Sequence, residues 1–550
     1  MNFDAVLIPA RREESIAKGW WHDRTINDEL DAAARDFPDK IALTAVRVEN
    51  GDTRRFTYAE LARLADRIAV GLHRLGVRKN DVVAMQLPNW WEFTLTYLAC
   101  SRIGAVVNPL MHIFRERELS FMLAHGEAKV VIVPKVFRRF DFEQMLTSLK
   151  PDLPALRHII VVGGEGDNSY EALLTRPEWE TKTNAAQILS ENRPGPDDVT
   201  QLMYTSGTTG EPKGVMHTAN TVFANIIPYA QRLHLGQDDV VLMASPMAHQ
   251  TGFMYGLIMP VLLRATAVLQ DVWEATKAVE LIRAEQASFT MASTPFLTDL
   301  SRKVEELGQD VPSLKTFLCA GAPIPGPLVE QAQNTLGVKI ISAWGMTENG
   351  AVTLIRPEDP DELAVTTDGI PLPGVEIQTV DINGEPLHPG EQGRLLVRSA
   401  SNFGGYLKRP ALNSTDEHGW FDTGDLAIIN AQGYLRITGR SKDVIIRGGE
   451  NIPVVEVETL LYRHPAVALA AIVAYPDERL GERACAVVVP KEGQSIDFDS
   501  MAEFLKSQKL ALQYIPEKLI VRAALPATPS GKIQKFKLRE IIQQELGTQA

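Results

Sequence analysis

Cysteine is scarce: 550 residues hold three, Cys100, Cys319 and Cys485, with no CxxC pair and no histidine cluster beside them. That spacing indicates neither a disulfide framework nor a zinc site, and it fits a reducing compartment. Each thiol has apolar neighbours, as in Leu98-Ala99-Cys100 and Phe317-Leu318-Cys319, so buried inert cysteines are expected. Long apolar runs are missing too. The longest, Tyr255 to Leu263, is broken by Pro260 and closed by Arg264, whereas a membrane-spanning helix needs about 20 apolar residues. The stretch with Arg11, Arg12, Glu13 and Glu14 lacks the apolar segment of a secretory signal, and Gly547-Thr548-Gln549-Ala550 matches no peroxisomal or retention address. A cytoplasmic location is therefore expected. Positive charge is in deficit: 56 Lys and Arg against 69 Asp and Glu leave −13, which disfavours a nucleic-acid partner, since phosphate contacts need a basic face. Internal repeats and low-complexity tracts are also absent.

What remains is a globular composition, 45% apolar and 23% charged. At this length one core does not suffice, and at least two domains are expected. Between about Asp239 and Ser342 short β-rich runs alternate with helical patterns. The runs are Val240 to Met243, Ser288 to Met291, Thr316 to Cys319 (ending at Gly321-Ala322-Pro323) and Lys339 to Ser342 (ending at Trp344-Gly345). Pro327 to Leu336 reads as a helix with proline in its first turn. Such alternation predicts an α/β fold with mainly parallel sheets, whose ligands gather beyond the carboxyl ends of the strands. Around Gly439-Arg440-Ser441-Lys442 the texture changes, and a strand-like run (Ala484 to Val489) and a helical run (Met501 to Leu510) follow. The predicted division is a large N-terminal domain of several subdomains, 1–440, and a small α+β C-terminal domain, 441–550.

The strongest local signal is Tyr204-Thr205-Ser206-Gly207-Thr208-Thr209-Gly210-Glu211-Pro212-Lys213-Gly214. Glycines and hydroxyls ended by a lysine make a loop able to wrap phosphate oxygens. It is not a Walker A loop, because Lys213 follows Gly210 by three and precedes a glycine. As residues alone it also reads as a Gly/Ser/Thr surface loop. Further along stand Trp344-Gly345-Met346-Thr347-Glu348, Thr423-Gly424-Asp425, Gly439-Arg440-Ser441-Lys442-Asp443 and Pro529-Ser530-Gly531-Lys532.

Together and in this order, these five motifs resemble the signatures of the adenylate-forming superfamily of acyl-CoA synthetases, peptide-synthetase adenylation domains and luciferases. The resemblance runs from about Phe37-Pro38-Asp39-Lys40 to Glu540. It implies an ATP/AMP site of Thr205, Ser206, Gly207, Thr208, Thr209, Gly210, Lys213, Gly321, Ala322, Pro323, Trp344, Gly345, Met346, Thr347, Glu348, Asp425, Arg440 and Lys532. Thr205 and Glu348 are implied ligands of Mg²⁺, a hard cation that prefers carboxylate and hydroxyl oxygens. Asp425 can accept from both ribose hydroxyls, and Arg440 can reach ribose or phosphate through a charged fork. Trp344 stands where the family has a tyrosine; it can still stack on adenine, with an ordinary core tryptophan as the lesser, competing reading. Lys532 is implied to serve adenylation only. The mobile C-terminal domain then swings about Lys442, and Arg447, Gly448 and Gly449 line the path of the CoA thiol. After them, Asn451-Ile452-Pro453 departs from the family's proline spacing. Lys535 and Lys537 read as a solvated basic face.

Ser245-Pro246-Met247-Ala248-His249 resembles the segment that guards the acyl pocket, and His249 with Phe253 and Met254 suggests an apolar cleft with one polar gate; a satisfied loop histidine is the competing reading. Gln86-Leu87-Pro88-Asn89-Trp90-Trp91 and Asp477 to Arg483 look closer to bacterial medium-chain fatty acid and cyclohexanecarboxylate CoA ligases than to acetate enzymes. The expected reaction joins a carboxylic acid to CoA at the expense of ATP through an acyl-adenylate. Two rivals stay open: a carrier-protein acceptor, and a catalytically silent nucleotide-binding regulator. A homodimer is left open.

Overall fold

A computed structural model of the chain describes all residues except 206–211, 322, 323, 325, 442, 443, 448, 449, 478, 509, 528–532 and 548–550. Two large sheets dominate. The first has nine strands, of which Ile41–Val46, Thr266–Gln270, Val240–Met243, Phe289–Ala292, Thr316–Ala320 and Lys339–Met346 run parallel to one another, with antiparallel strands at both edges. The second has seven strands, with a parallel body and an antiparallel edge. The fold is therefore mixed α/β, as the strand-helix alternation predicts. Val82–Met85 is buried throughout and Ala128–Pro134 almost so, because helices cover both faces of a parallel sheet. One such cover is Tyr58–Arg74, which starts at a Thr57–Glu60 capping box and buries Leu61, Ala65, Ile68 and Leu72 on one stripe.

A third, four-stranded antiparallel sheet precedes the C-terminal region, which has a five-stranded sheet of its own. The main buried cluster spans Ile26 to Leu435, while two others span Ile445 to Leu510 and Ala471 to Ile542. The three cysteines are buried. Among the described residues no helix is long and apolar enough to cross a membrane.

Seven strands and one helix position the site: β1 (Val199–Thr205), β2 (Lys213–Thr218), α1 (Ala219–Arg232), β3 (Lys339–Met346), β4 (Gly350–Leu354), β5 (Gly405–Tyr406), β6 (Phe421–Ile429) and β7 (Leu435–Arg440). Two details differ from the sequence reading. The strand expected to end before Trp344 runs on to Met346, because β4 folds back and pairs with it antiparallel, Trp344 to Thr353 and Met346 to Gly350. The helix expected over Met501 to Leu510 is Phe498–Ser507, started earlier by Asp497, whose side chain accepts from the Ser500 amide.

Candidate active site

β1 and β2 are antiparallel, with Thr205 directly opposite Lys213. The phosphate loop thus leaves a strand and enters a strand, which separates it from loops that open a helix. Ser206, Gly207, Thr208, Thr209 and Gly210 lie outside the described residues, as do Ala322, Pro323, Lys442, Gly448, Gly449 and Lys532.

β5 adds to the free edge of β2, with Tyr406 opposite Val215. Side chains two apart on a strand share a face, so the Tyr406 ring reaches the Lys213 side chain. Lys213 donates to the Tyr406 hydroxyl at 3.1 Å, with its ammonium 4.2 Å from the ring centroid. Tyr406 in turn donates to Glu348 Oε1 at 2.7 Å. A neutral phenol therefore stands between a half-buried ammonium and a carboxylate whose residue is only 4% exposed. Burial pulls the Lys213 ammonium below its usual value, opposed by Glu348 and assisted by Arg440. Burial, and then Glu348, push the Tyr406 phenol up, so it stays protonated and donating.

Glu348 sits in the turn between β3 and β4, and contacts from several elements hold that turn, among them Ser401, whose hydroxyl donates to the Asn349 carbonyl at 2.9 Å. The Glu348 carbonyl accepts from the Phe403 amide at 2.7 Å. The Thr347 carbonyl accepts from His217 Nε2 at 2.7 Å, and His217 Nδ1 faces Thr221 Oγ1 at 3.0 Å. Burial drops the His217 pKa to about 4, so the ring is neutral and its tautomer follows from these two partners. Asn225 on α1 donates to the Asn349 and Ala351 carbonyls. Glycine is required twice here. A Cβ at Gly345 would fall 2.0 Å from the Gly350 oxygen, and one at Gly350, whose φ is +69°, would meet Asn225 at 2.7 Å.

On the far side, Asp425 of β6 and Arg440 of β7 are register partners, and Arg440 Nε lies 2.8 Å from Asp425 Oδ1. Asp425 is 3% exposed, and its amide donates to Thr423 Oγ1. Gly321, at φ +93°, follows the strand Thr316–Ala320, and Trp344 is partly buried against the main core. His249 accepts from the Phe253 amide through its carbonyl and from the Thr251 amide through Nδ1. Phe253 and Met254 are enclosed; the Phe253 ring sits edge-on to Tyr97 at 5.0 Å and to Phe93 at 6.3 Å. Arg447 pairs with Glu517 and donates to the Gln513 carbonyl. Lys535 is not simply solvated: its ammonium lies 2.6 Å from Glu458 on the helix Val454–Tyr462, because the helix Lys535–Gly547 packs against this small unit's sheet.

Residues 30–407 match the family model described as AMP-binding enzyme, and residues 456–532 match AMP-binding enzyme C-terminal domain. The chain belongs to the AMP-binding enzyme family. It is an acyl-CoA synthetase of the adenylate-forming superfamily, in the class of AMP-forming acid–CoA ligases. Over 539 residues it is 36% identical to the medium-chain fatty-acid–CoA ligase of Escherichia coli, covering 98% of this chain and 94% of the relative. A 2-hydroxy-7-methoxy-5-methyl-1-naphthoate–CoA ligase of Streptomyces carzinostaticus is 33% identical over 95% of this chain and 94% of its own. Among solved structures, ATP-bound MatB from Rhodopseudomonas palustris superimposes with a TM-score of 0.80 at 26% identity, covering 94% of this chain and 99% of that one.

Tyr406, His217 and Asn225, which contact Lys213, Glu348 or the turn that carries Glu348, were not singled out from the sequence. Tyr406 follows Gly404-Gly405 and carries no spacing signal of its own; only the addition of β5 to β2 brings it to Lys213.

Proposed function

We propose that the chain joins a medium-chain or alicyclic carboxylic acid to coenzyme A. A carboxylate oxygen attacks the α-phosphorus of ATP and the bond to pyrophosphate breaks; the CoA thiolate then attacks the acyl carbonyl and AMP leaves. The observation that carries this reading is the Lys213–Tyr406–Glu348 chain beside the Asp425–Arg440 pair. It supplies a cation for phosphate oxygens, a carboxylate for a metal, and an acceptor for ribose. Charge compensation and positioning are what phosphoryl attack by an anion needs.

The donor set fits Mg²⁺. Glu348 meets a phenol at Oε1 rather than a neutralising cation, and Thr205 closes the loop's base opposite Lys213. Among the described residues no three His, Cys, Asp or Glu side chains form a cage, which suits a cation that is held mainly by substrate phosphates. When bound, Mg²⁺ would neutralise phosphate charge. We assign Lys532 to the adenylation step and Lys442 to the pivot between the two half-reactions, on the strength of their motifs.

The name of the Escherichia coli relative supports a medium-chain acid, and the segment Gly252-Phe253-Met254-Tyr255 after His249 carries no fixed charge to meet a second carboxylate or amine. Each methylene accommodated contributes roughly 0.8 kcal/mol. ATP–pyrophosphate exchange over straight-chain, alicyclic and aromatic acids tests the reading, followed by CoA against a carrier protein as acceptor. kcat/KM is expected to climb from acetate to an acid of roughly six to ten carbons. A preference for acetate or an amino acid overturns it, and a preference for salicylate or naphthoate moves it to aryl acids, as in the Streptomyces relative.

A further inference from the structure

The segment that carries His249 and the turn that carries Glu348 are joined by a buried relay that plays no part in the chemistry above. Tyr255 lies in the π-helical stretch Thr251–Ile258 and is 2% exposed. Its hydroxyl donates to Asn225 Oδ1 at 2.6 Å and accepts from the Ala351 amide at 2.8 Å. Asn225 Nδ2 donates to the carbonyls of Ala351 at 2.6 Å and Asn349 at 3.1 Å. Asn349 directly follows Glu348 in the chain. The relay is stiff, because the Tyr255 ring is stacked on Tyr229, another residue of α1, with centroids 4.3 Å apart and planes at 26°.

A space-filling tyrosine would need only its ring. Here the hydroxyl engages the Ala351 amide, while the carboxamide it bonds engages the carbonyls of Ala351 and Asn349 on either side of Gly350, so the π-helical stretch is hydrogen-bonded to the end of the Glu348 turn. We propose that Tyr255 and Asn225 are positioning residues that transmit occupancy of the acid pocket to Glu348, making acid and metal-bound ATP bind with positive coupling. The proposal rests on the reading of the His249 segment as the acid gate. Coupling between two ligands is reciprocal and commonly amounts to roughly 5- to 150-fold.

The test measures ATP affinity with and without saturating acid in Mg²⁺, together with kcat and KM of ATP–pyrophosphate exchange. Wild-type protein is expected to bind ATP about tenfold more tightly when acid is present. Tyr255→Phe, which keeps the ring and its stack, should bring that ratio below about twofold and lower kcat of exchange, while ATP affinity without acid stays within about twofold of wild type. Asn225→Ser should likewise abolish that ratio and lower kcat of exchange, and the double variant should be no worse than Asn225→Ser alone, since the two act in one relay. Undiminished coupling in a folded Tyr255→Phe protein, additive losses, or no coupling in the wild type would each overturn the linkage. Wild-type protein that binds ATP but activates no acid would instead overturn the ligase reading on which it rests.

Discussion

Glu92 and Glu348 are both glutamates sunk in the large unit, yet the surroundings of one neutralise it and those of the other keep it in reserve. Glu92, in the first turn of the helix Trp91–Arg102, is 1% exposed and meets Arg47 at 2.5 Å. Arg47 is itself laid over the Trp90 ring, 4.0 Å from its centroid. Burial still wins over that partner: the carboxyl is pushed up to about 7, and Oε2 has no hydrogen-bond partner. Glu348 meets a phenol instead, and Lys213 is kept behind that phenol. A direct Arg47–Glu92 contact, with the carboxyl pushed toward its protonated form, anchors a corner of the core; an interposed hydroxyl leaves a carboxylate and an ammonium each able to take a new partner.

Glu348→Gln should break the comparison most visibly. Loss of its charge at the reacting phosphates is expected to lower ATP–pyrophosphate exchange ~10²–10³-fold, about 3–4 kcal/mol, with the melting temperature little changed. A variant with near-normal exchange would show that Glu348 is only structural.

Glu92→Gln acts on stability rather than rate. The folded carboxyl holds its proton up to about pH 7, whereas its ordinary value is 4.5. Its contribution is therefore complete below about pH 4.5 and lost as pH rises through 7, amounting to about 3 kcal/mol. Denaturant titrations from pH 4 to 8 should show that fall in the wild type and a flatter curve in the variant. Parallel curves would put the buried charge elsewhere. His217 has the opposite sign: it stays neutral down to about pH 4 in the fold against an ordinary 6.5. Its contribution is complete above 6.5 and lost as pH falls through 4, again about 3 kcal/mol. His217→Gln should flatten that acid limb, and His217→Leu, which has no donor for the Thr347 carbonyl, should in addition raise the Mg²⁺ needed for exchange.

The smallest effect sharpens the comparison. Tyr406→Phe should let Lys213 approach Glu348 directly, turning that corner into one like Arg47–Glu92. About a tenfold rise in the Mg²⁺ required for half-maximal exchange is expected, with kcat nearly kept. An unchanged Mg²⁺ requirement would remove the spacer role.

Sequence reading reached some of this and not the rest, for reasons visible in particular residues. Val240–Met243 and Thr316–Ala320 were legible because strands buried on both faces are continuous apolar runs. The polar motif around Asp425 and the residue Arg440 were legible too, and the fold makes them register partners. The extension of β3 through Gly345 was not, since its stability comes from β4 folding back rather than from local propensity. Tyr406 lies 193 positions from Lys213, and Tyr255 lies 30 from Asn225. Contacts at that range are made by sheet order and helix packing, which leave no spacing to read.

The loop that leaves β1 and enters β2 has an electrostatic consequence. Where a phosphate loop opens a helix, aligned peptide dipoles place about half a positive charge at the phosphates. A strand has almost no net dipole to lend. On the proposed reading, a triphosphate at this hairpin would draw on discrete charges, Lys213 and Arg440 among them, and on a cation at Glu348, rather than on a helix dipole. Salt screens exposed charges more than about 8–10 Å apart and partly buried contacts much less, so ionic strength is expected to act on the approach of a nucleotide to this hairpin more than on the contacts it makes there.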